Sequence, residues 1–496
     1  MNFKSLSLAM LLGLSPIMAQ ATPSALNLNA VDFGAVADGT TVNTVAIQKA
    51  IDSCSENGGG IVTIPAGRFV TGTLQLKDGV TLSLAASSFL IGSTNVGDYQ
   101  NLDPFKTGSD GNELMGYALI IGKDAKNVGL EGPGVIDGQG AALKKAEGHY
   151  DRRPFLVRWV RCSGVAVHDV TLINSGAWTM DFFQSQNVVV NHVTIRSLGL
   201  GNNDGIDIDS SHAVQISDCT IASGDDSICL KTTSPLACHD IQVNGCTIES
   251  GEAAIKLGTE SMGDFENITI SNCHVLKARG GIKLFSVDGA HMHSIQVSGV
   301  TMEKTNLPIM VRLGARRKVF RPGNSQLPVG EIDGVEIKDI KAEDCSNIGI
   351  LVSGISAHPI KNLVLDHIEL QLPGSGSREE GNVVLAENEV AYPDINMFGD
   401  KMPASGVFMR HVQSVQINGL ALSLAHPDLR PSLFCQDAED LELKAMTFPV
   451  CAGAAEAVRL DFCRQVLIQD LRLPPSIDSA QQVAQSNCSE VSVQSR

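Results

Sequence analysis

The chain is 496 residues long, enough for two or three ordinary domains or for one elongated repeat domain. Its 48 glycines and 4% aromatic residues suit many turns between short stacked strands and exclude a bulky helical core. A net charge of −17 excludes non-specific binding to nucleic acid, and a polyanionic partner would need a local cationic patch.

The first element reads as an export signal. Lys4 precedes an apolar run over 6–14, then Ser15-Pro16 and a small-x-small site at Ala19-Gln20-Ala21. Cleavage after Ala21 would deliver the protein to the periplasm or the exterior. The run is too short to span a bilayer and no later apolar stretch is long enough, so no membrane contact is expected.

Residues 29–41 come next, followed by a helix with Ile47, Ala50, Ile51 and Cys54 at helical spacing. Asn57-Gly58-Gly59-Gly60 ends it. The pattern then changes to short β-branched runs at 61–64, 80–84, 128–130 and 135–136, separated by turn residues.

The central region repeats. Similar short strands start at His192, Cys219, Cys246, Cys273 and Val300, a constant step of 27 residues. No unit of this size buries its own apolar face, so each must stack on the next. The pattern predicts an all-β, single-stranded, right-handed parallel β-helix behind a short N-terminal capping helix. Weaker rungs continue to about residue 475. The expected organisation is a signal peptide at 1–21, one β-helix domain at 22–475 and a tail at 476–496, with no hinge and a monomeric chain. Two insertions interrupt the rungs, at 314–330 and 373–404, and loops on a solenoid are natural binding elements.

Twelve cysteines in an exported chain allow disulfides. Cys219, Cys246 and Cys273 hold one place in successive rungs, which reads as an inward stack of small apolar side chains. Cys435, Cys451, Cys463 and Cys488 are the better disulfide candidates.

The rungs bring acidic residues together. Asp204 lies in Asn202-Asn203-Asp204, and Asp225 and Asp226 in Gly224-Asp225-Asp226, one step later. Glu252 takes the place of Asp225 in the next rung, and Lys283 follows a rung after that. Crowded carboxylates push at least one pKa upward, which separates an acid from a base as glycoside hydrolysis requires. A solvated acidic turn or a calcium site fits the rung geometry equally well. Asp207 reads as structural support for the site and Asp209 as a turn residue. Lys231, Lys256, Arg312, Arg316, Arg317 and Arg321 read either as groove cations or as solvated surface charges, and Arg410-His411 is equally open.

Several segments resemble glycoside hydrolase family 28, the polygalacturonase family. They are Asp-Phe-Gly-Ala at 32–35 with Ala46-Ile-Gln-Lys-Ala-Ile51, Gly132-Pro-Gly-Val-Ile-Asp-Gly-Gln-Gly140, Asn202-Asn203-Asp204 and Gly224-Asp225-Asp226. The resemblance runs from about 29 to 470. It implies an inverting hydrolase of pectic polysaccharide, with Asp225 as general acid. Asp204 and Asp226 would hold the attacking water, with no metal or other cofactor. Inversion implies carboxyl groups roughly 6.5–9.5 Å apart.

Two motifs depart from the family. Its Gly-His-Gly falls on Gly251-Glu252-Ala253, and its Arg-Ile-Lys on Lys283-Leu284-Phe285. Glu252, Lys256 and Lys283 are therefore the expected substrate contacts, in a groove more acidic than the family's. This favours asking whether rhamnogalacturonan or another acidic polysaccharide is cut instead. A non-catalytic carbohydrate-binding β-helix has no use for crowded carboxylates. A lyase would need Ca²⁺ and a basic proton acceptor, for which no motif is present.

Overall fold

A computed structural model of the chain describes residues 26–106, 115–147, 152–346, 348–451, 453–454, 456–474 and 482–494. The expected signal at 1–21 lies outside them. Among the described residues no helix is long and apolar enough to cross a membrane.

The strands coil as a right-handed parallel β-helix. Each central rung contributes three strands, and each strand pairs in parallel with its equivalent one rung later. Met180–Phe183 pairs with Ile206–Asp209, Gln186–Asn191 with His212–Ser217, and Thr194–Ser197 with Thr220–Ser223.

A recurring corner sets the 27-residue period. Asp218, Gly245, Asn272 and Gly299 adopt φ of 53°, 70°, 53° and 63°. Left-handed backbone favours Gly, Asn and Asp, so the sequence supplies one of them at each corner. The residue after each corner turns inward: Cys219, Cys246, Cys273 and Val300 are buried, as the stacking argument predicts.

The core is a set of ladders. Ile206, Ile228, Ile255, Ile282 and Ile309 lie in register on the inner side of one sheet, all fully buried. β-Branched side chains fit such a pleated, close-packed surface. The helix α1 (Thr44–Glu56) closes the N-terminal end with Ile47, Ala50, Ile51 and Cys54 buried.

Two expectations need correction. The stack does not end near 475: Val483–Ser486 and Ser489–Gln494 pair in parallel with Val458–Gln469. Nor are the late cysteines paired, since all twelve are free thiols. Cys435 and Cys463 are buried among the rungs, Cys451 bonds to the Asp428 carbonyl, and Cys488 approaches the Cys463 amide. Cys435 and Cys463 occupy inward positions of the late rungs, in columns other than that of Cys219.

Reductant is therefore expected to leave the melting temperature unchanged. A drop of several degrees in a calorimetric scan with dithiothreitol would reveal a structural disulfide.

Candidate active site

One sheet of the coil carries the acidic residues. It contains β1 (Phe155–Val160), β2 (Met180–Phe183), β3 (Ile206–Asp209), β4 (Ile228–Thr232), β5 (Ala253–Ser261), β6 (His274–Ser286) and β7 (Thr305–Leu313). Strand alternation turns the isoleucine ladder inward and its neighbours outward. The outward column reads Arg158, Asp181, Asp207, Cys229, Lys256, Lys283.

Asp204 lies in the turn entering β3, and Asp225 and Asp226 in the turn entering β4. The glycine of Gly224-Asp225-Asp226 has a steric cause. A Cβ there would sit 2.1 Å from the Leu200 carbonyl oxygen. The close approach lets the Asn202 amide donate to Asp225 Oδ2 at 2.8 Å. One oxygen from each of Asp204, Asp225 and Asp226 lies within 4.8 Å of the other two. That is tighter than the separation expected from the resemblance.

Lysines of the following rungs hold two of the three carboxylates. Lys231 Nζ is 2.7 Å from Asp204 Oδ2 and 3.0 Å from Asp207 Oδ1, and 3.5 Å from the centroid of the Trp178 ring. Lys256 Nζ is 2.7 Å from Asp226 Oδ2, whose other oxygen accepts from the Ala253 amide at 3.1 Å. Both lysines are buried. The reading of Lys231 and Lys256 as solvated surface charges is thus overturned. Lys256, expected to contact substrate, is committed to Asp226, although it also lines the cleft.

The pKa values separate accordingly. Burial pushes Asp225 upward, and Asp226 beside it adds to the shift. Burial also pushes Asp204 up to about 7 against the pull of Lys231. Burial acts on Asp226 in the same sense, but Lys256, Lys231 and Lys283 together outweigh it and hold the carboxyl below 3.8. The three titrate as a unit. Asp204 and Asp225, both raised, compete for a proton beside an Asp226 held ionised by its lysines.

A divalent cation would meet two ammonium groups already bound to Asp204 and Asp226. The donor set therefore suits proton transfer better than calcium, which needs six or more oxygen ligands.

The cleft beside the trio has a volume of about 580 Å³. Glu252 lines it, and a single guanidinium serves two carboxylates there: Arg279 donates to Glu252 at 2.9 Å and reaches Asp394 at 3.3 Å. Sequence reasoning missed Arg279 because it lies outside the motif at 283–285. It also missed Tyr392 and Asp394, which the 373–404 insertion brings to the cleft. Lys283 is buried at the cleft and makes no hydrogen bond or ion pair among the described residues. Burial, then the charge of Lys256, lowers its pKa.

Other candidates lie elsewhere. Asp209 is no turn residue: it ends β3, buried, and accepts from the Thr233 amide at 2.8 Å. Asp207 supports the site by holding Lys231, as expected. Arg316 pairs with Asp288 at 2.5 Å and Arg321 with Asp103 at 3.2 Å. Arg317 donates to the Leu327 carbonyl. Arg312, Arg410 and His411 bind the second insertion.

A trio of carboxylates on the outer face of a parallel β-helix defines a class of glycoside hydrolase. The glycosyl hydrolases family 28 profile matches residues 54–389, and the chain belongs to that family. A probable polygalacturonase of Vitis vinifera is 32% identical over 213 residues, 41% of this chain and 43% of that protein. An exo-poly-alpha-D-galacturonosidase of Dickeya chrysanthemi is 31% identical over 258 residues, 42% of each. The chain thus spans less than half the length of these two relatives. The crystal structure of a hyperthermoactive exopolygalacturonase from Thermotoga maritima shares the fold, with a TM-score of 0.59 at 23% identity, over 70% of this chain and 87% of that one.

Lys256→Met leaves Asp226 buried without its cation. The loss is expected to be about 3–5 kcal/mol at pH 7, measured by urea denaturation. The sign follows from the pKa: Asp226 is held low, so its contribution is present above pH 3.8 and fades as pH falls toward its lowered value. The deficit of the variant should therefore shrink at low pH.

Proposed function

We propose that the protein is exported and hydrolyses glycosidic bonds of a galacturonate-containing polysaccharide. The geometry of one carboxylate trio carries this reading: oxygens of Asp204, Asp225 and Asp226 lie within 4.8 Å of one another, and lysines pair with Asp204 and Asp226 but not with Asp225. Asp225, raised and without a cation of its own, delivers a proton to the leaving oxygen. Asp226, held ionised by Lys256, and Asp204, held by Lys231, orient the water that attacks the anomeric carbon. The oxygens lie closer than the roughly 6.5–9.5 Å usual for an inverting pair. Two carboxylates rather than one remote base therefore share the water, and inversion remains the proposed outcome. Glu252 contacts substrate only as part of its pair with Arg279.

The case for a neutral-sugar substrate weakens on this geometry. Arg279 meets Glu252, and Lys283 is a buried ammonium with no ion-pair partner among the described residues. A buried unpaired cation is costly unless an anion arrives to meet it. A uronate carboxylate in the cleft is such an anion, so Lys283 is the proposed sugar-recognising group.

Asp225→Asn should abolish release of reducing ends from polygalacturonate while the circular dichroism spectrum and melting temperature persist. Full activity would sink the acid assignment. In the native protein, product absorbing in the ultraviolet would indicate a lyase, and a first product of retained configuration by NMR would refute inversion. Lys283→Met is expected to cost about 10–100-fold in kcat/KM on polygalacturonate, the equivalent of one hydrogen bond to a charged group. An equal loss on a neutral glycan substrate would remove Lys283 from carboxylate recognition.

A further inference from the structure

We infer that the cleft is walled at one end and that the protein removes short products from a chain terminus instead of cutting chain interiors. This rests on the hydrolase reading above.

The outward column of the catalytic sheet changes character abruptly. After Lys256 and Lys283 it continues as Met310 on β7, Leu351 on β8 (Ile350–Ser353), Phe408 on β9 (Val407–Leu424) and Phe434 on β10 (Leu433–Lys444). Polar groups able to bind sugar hydroxyls or carboxylates thus give way to four apolar side chains. These are covered. Leu385, Phe398 and Met402 of the 373–404 insertion form one buried cluster with them and with Phe285. A polysaccharide running along the coil axis has no surface to follow beyond Lys283.

The insertion is anchored from below. Buried Arg410 donates to the carbonyls of Leu385 and Ala386 at 3.0 and 2.7 Å. Buried Arg312 donates to Ser353 Oγ at 2.6 Å and to the Glu387 carbonyl at 3.0 Å. His411 Nε2 lies 3.0 Å from Glu387. Guanidinium groups with no exposure, holding backbone oxygens, make a fixed wall and not a closing lid.

The wall stands close to the chemistry. The Thr259 hydroxyl on β5 donates to the Tyr392 hydroxyl at 3.1 Å, and Asp394 meets Arg279. From β4, which follows the Asp225-Asp226 turn, to Lys283 on β6 is two rung steps, about 10 Å at strand spacing. That length admits one or two sugar rings between the scissile bond and the wall, with Lys283 and Arg279 placed to meet the anionic terminus.

The test is the product profile of the native protein on polygalacturonate, by anion-exchange chromatography from the earliest times, with viscosity followed in parallel. Mono- or disaccharide alone, with viscosity falling only as mass is released, is the expected result. An early ladder of longer oligomers with a rapid viscosity drop would overturn the wall and leave the hydrolase reading standing. No product from any pectic substrate would refute the hydrolase reading and this inference with it. In the double variant Tyr392→Ala, Asp394→Ala, products should lengthen while circular dichroism is unchanged. Unchanged product length there would also overturn the wall.

Discussion

The site depends on lysine ammonium groups that arrive from a later turn of the coil. Asp204, Asp225 and Asp226 present oxygens within 4.8 Å of one another, largely out of water. Three negative charges at that spacing cannot coexist in a low dielectric. Lys231 and Lys256, each one rung step along the axis from the carboxylate it serves, ease the conflict: Asp226 is held ionised, while Asp204 and Asp225 are both raised and share a proton. Buried ion pairs are weak sources of stability compared with apolar packing of the same volume. Their presence here is better explained by the protonation states they impose than by the energy they add.

Such pairing tolerates no slip of register. A shift of one residue along β4 or β5 would turn Lys231 and Lys256 into the core and the isoleucine ladder outward. Two features guard the alignment. The left-handed corners at Asp218, Gly245 and Asn272 fix where each rung turns. The buried ladder from Ile206 to Ile309 rewards only one phase. Core packing thus sets the position of charges that lie on the opposite side of the same strands.

Much of this was legible in the sequence, for a reason specific to solenoids. Rungs stack in register, so counting 27 residues predicts which side chains are neighbours. Cys219, Cys246 and Cys273 followed from that count, as did the nearness of Asp204 to Asp225. Counting does not give side-chain direction where strands are short. Lys231 and Lys256 therefore read either as groove cations or as surface charges, although each alternates with core residues on its strand. It also fails beyond the regular rungs: the period fades after 302, so the strands at 483–494 read in the sequence as a tail. Insertions are worse, because their landing point is set by contacts that have no period. Nothing in Tyr392 or Asp394 points to Thr259 or Arg279, more than a hundred residues earlier.

The insertion also accounts for a departure that was puzzling in one dimension. Phe285 occupies a place where the family pattern has a cation, and Glu252 a place where it has histidine. Taken alone, both changes remove positive charge from a groove meant for an anion. In three dimensions Phe285 is buried in an apolar cluster with the insertion, at the edge of the cleft. The same insertion supplies Asp394, which with Glu252 positions Arg279 at the cleft. Arg279 thus brings a cation to the flank of the strand, while Phe285 packs against the insertion. A residue lost from a motif need not mean a lost activity when the element that replaces it brings its own partners.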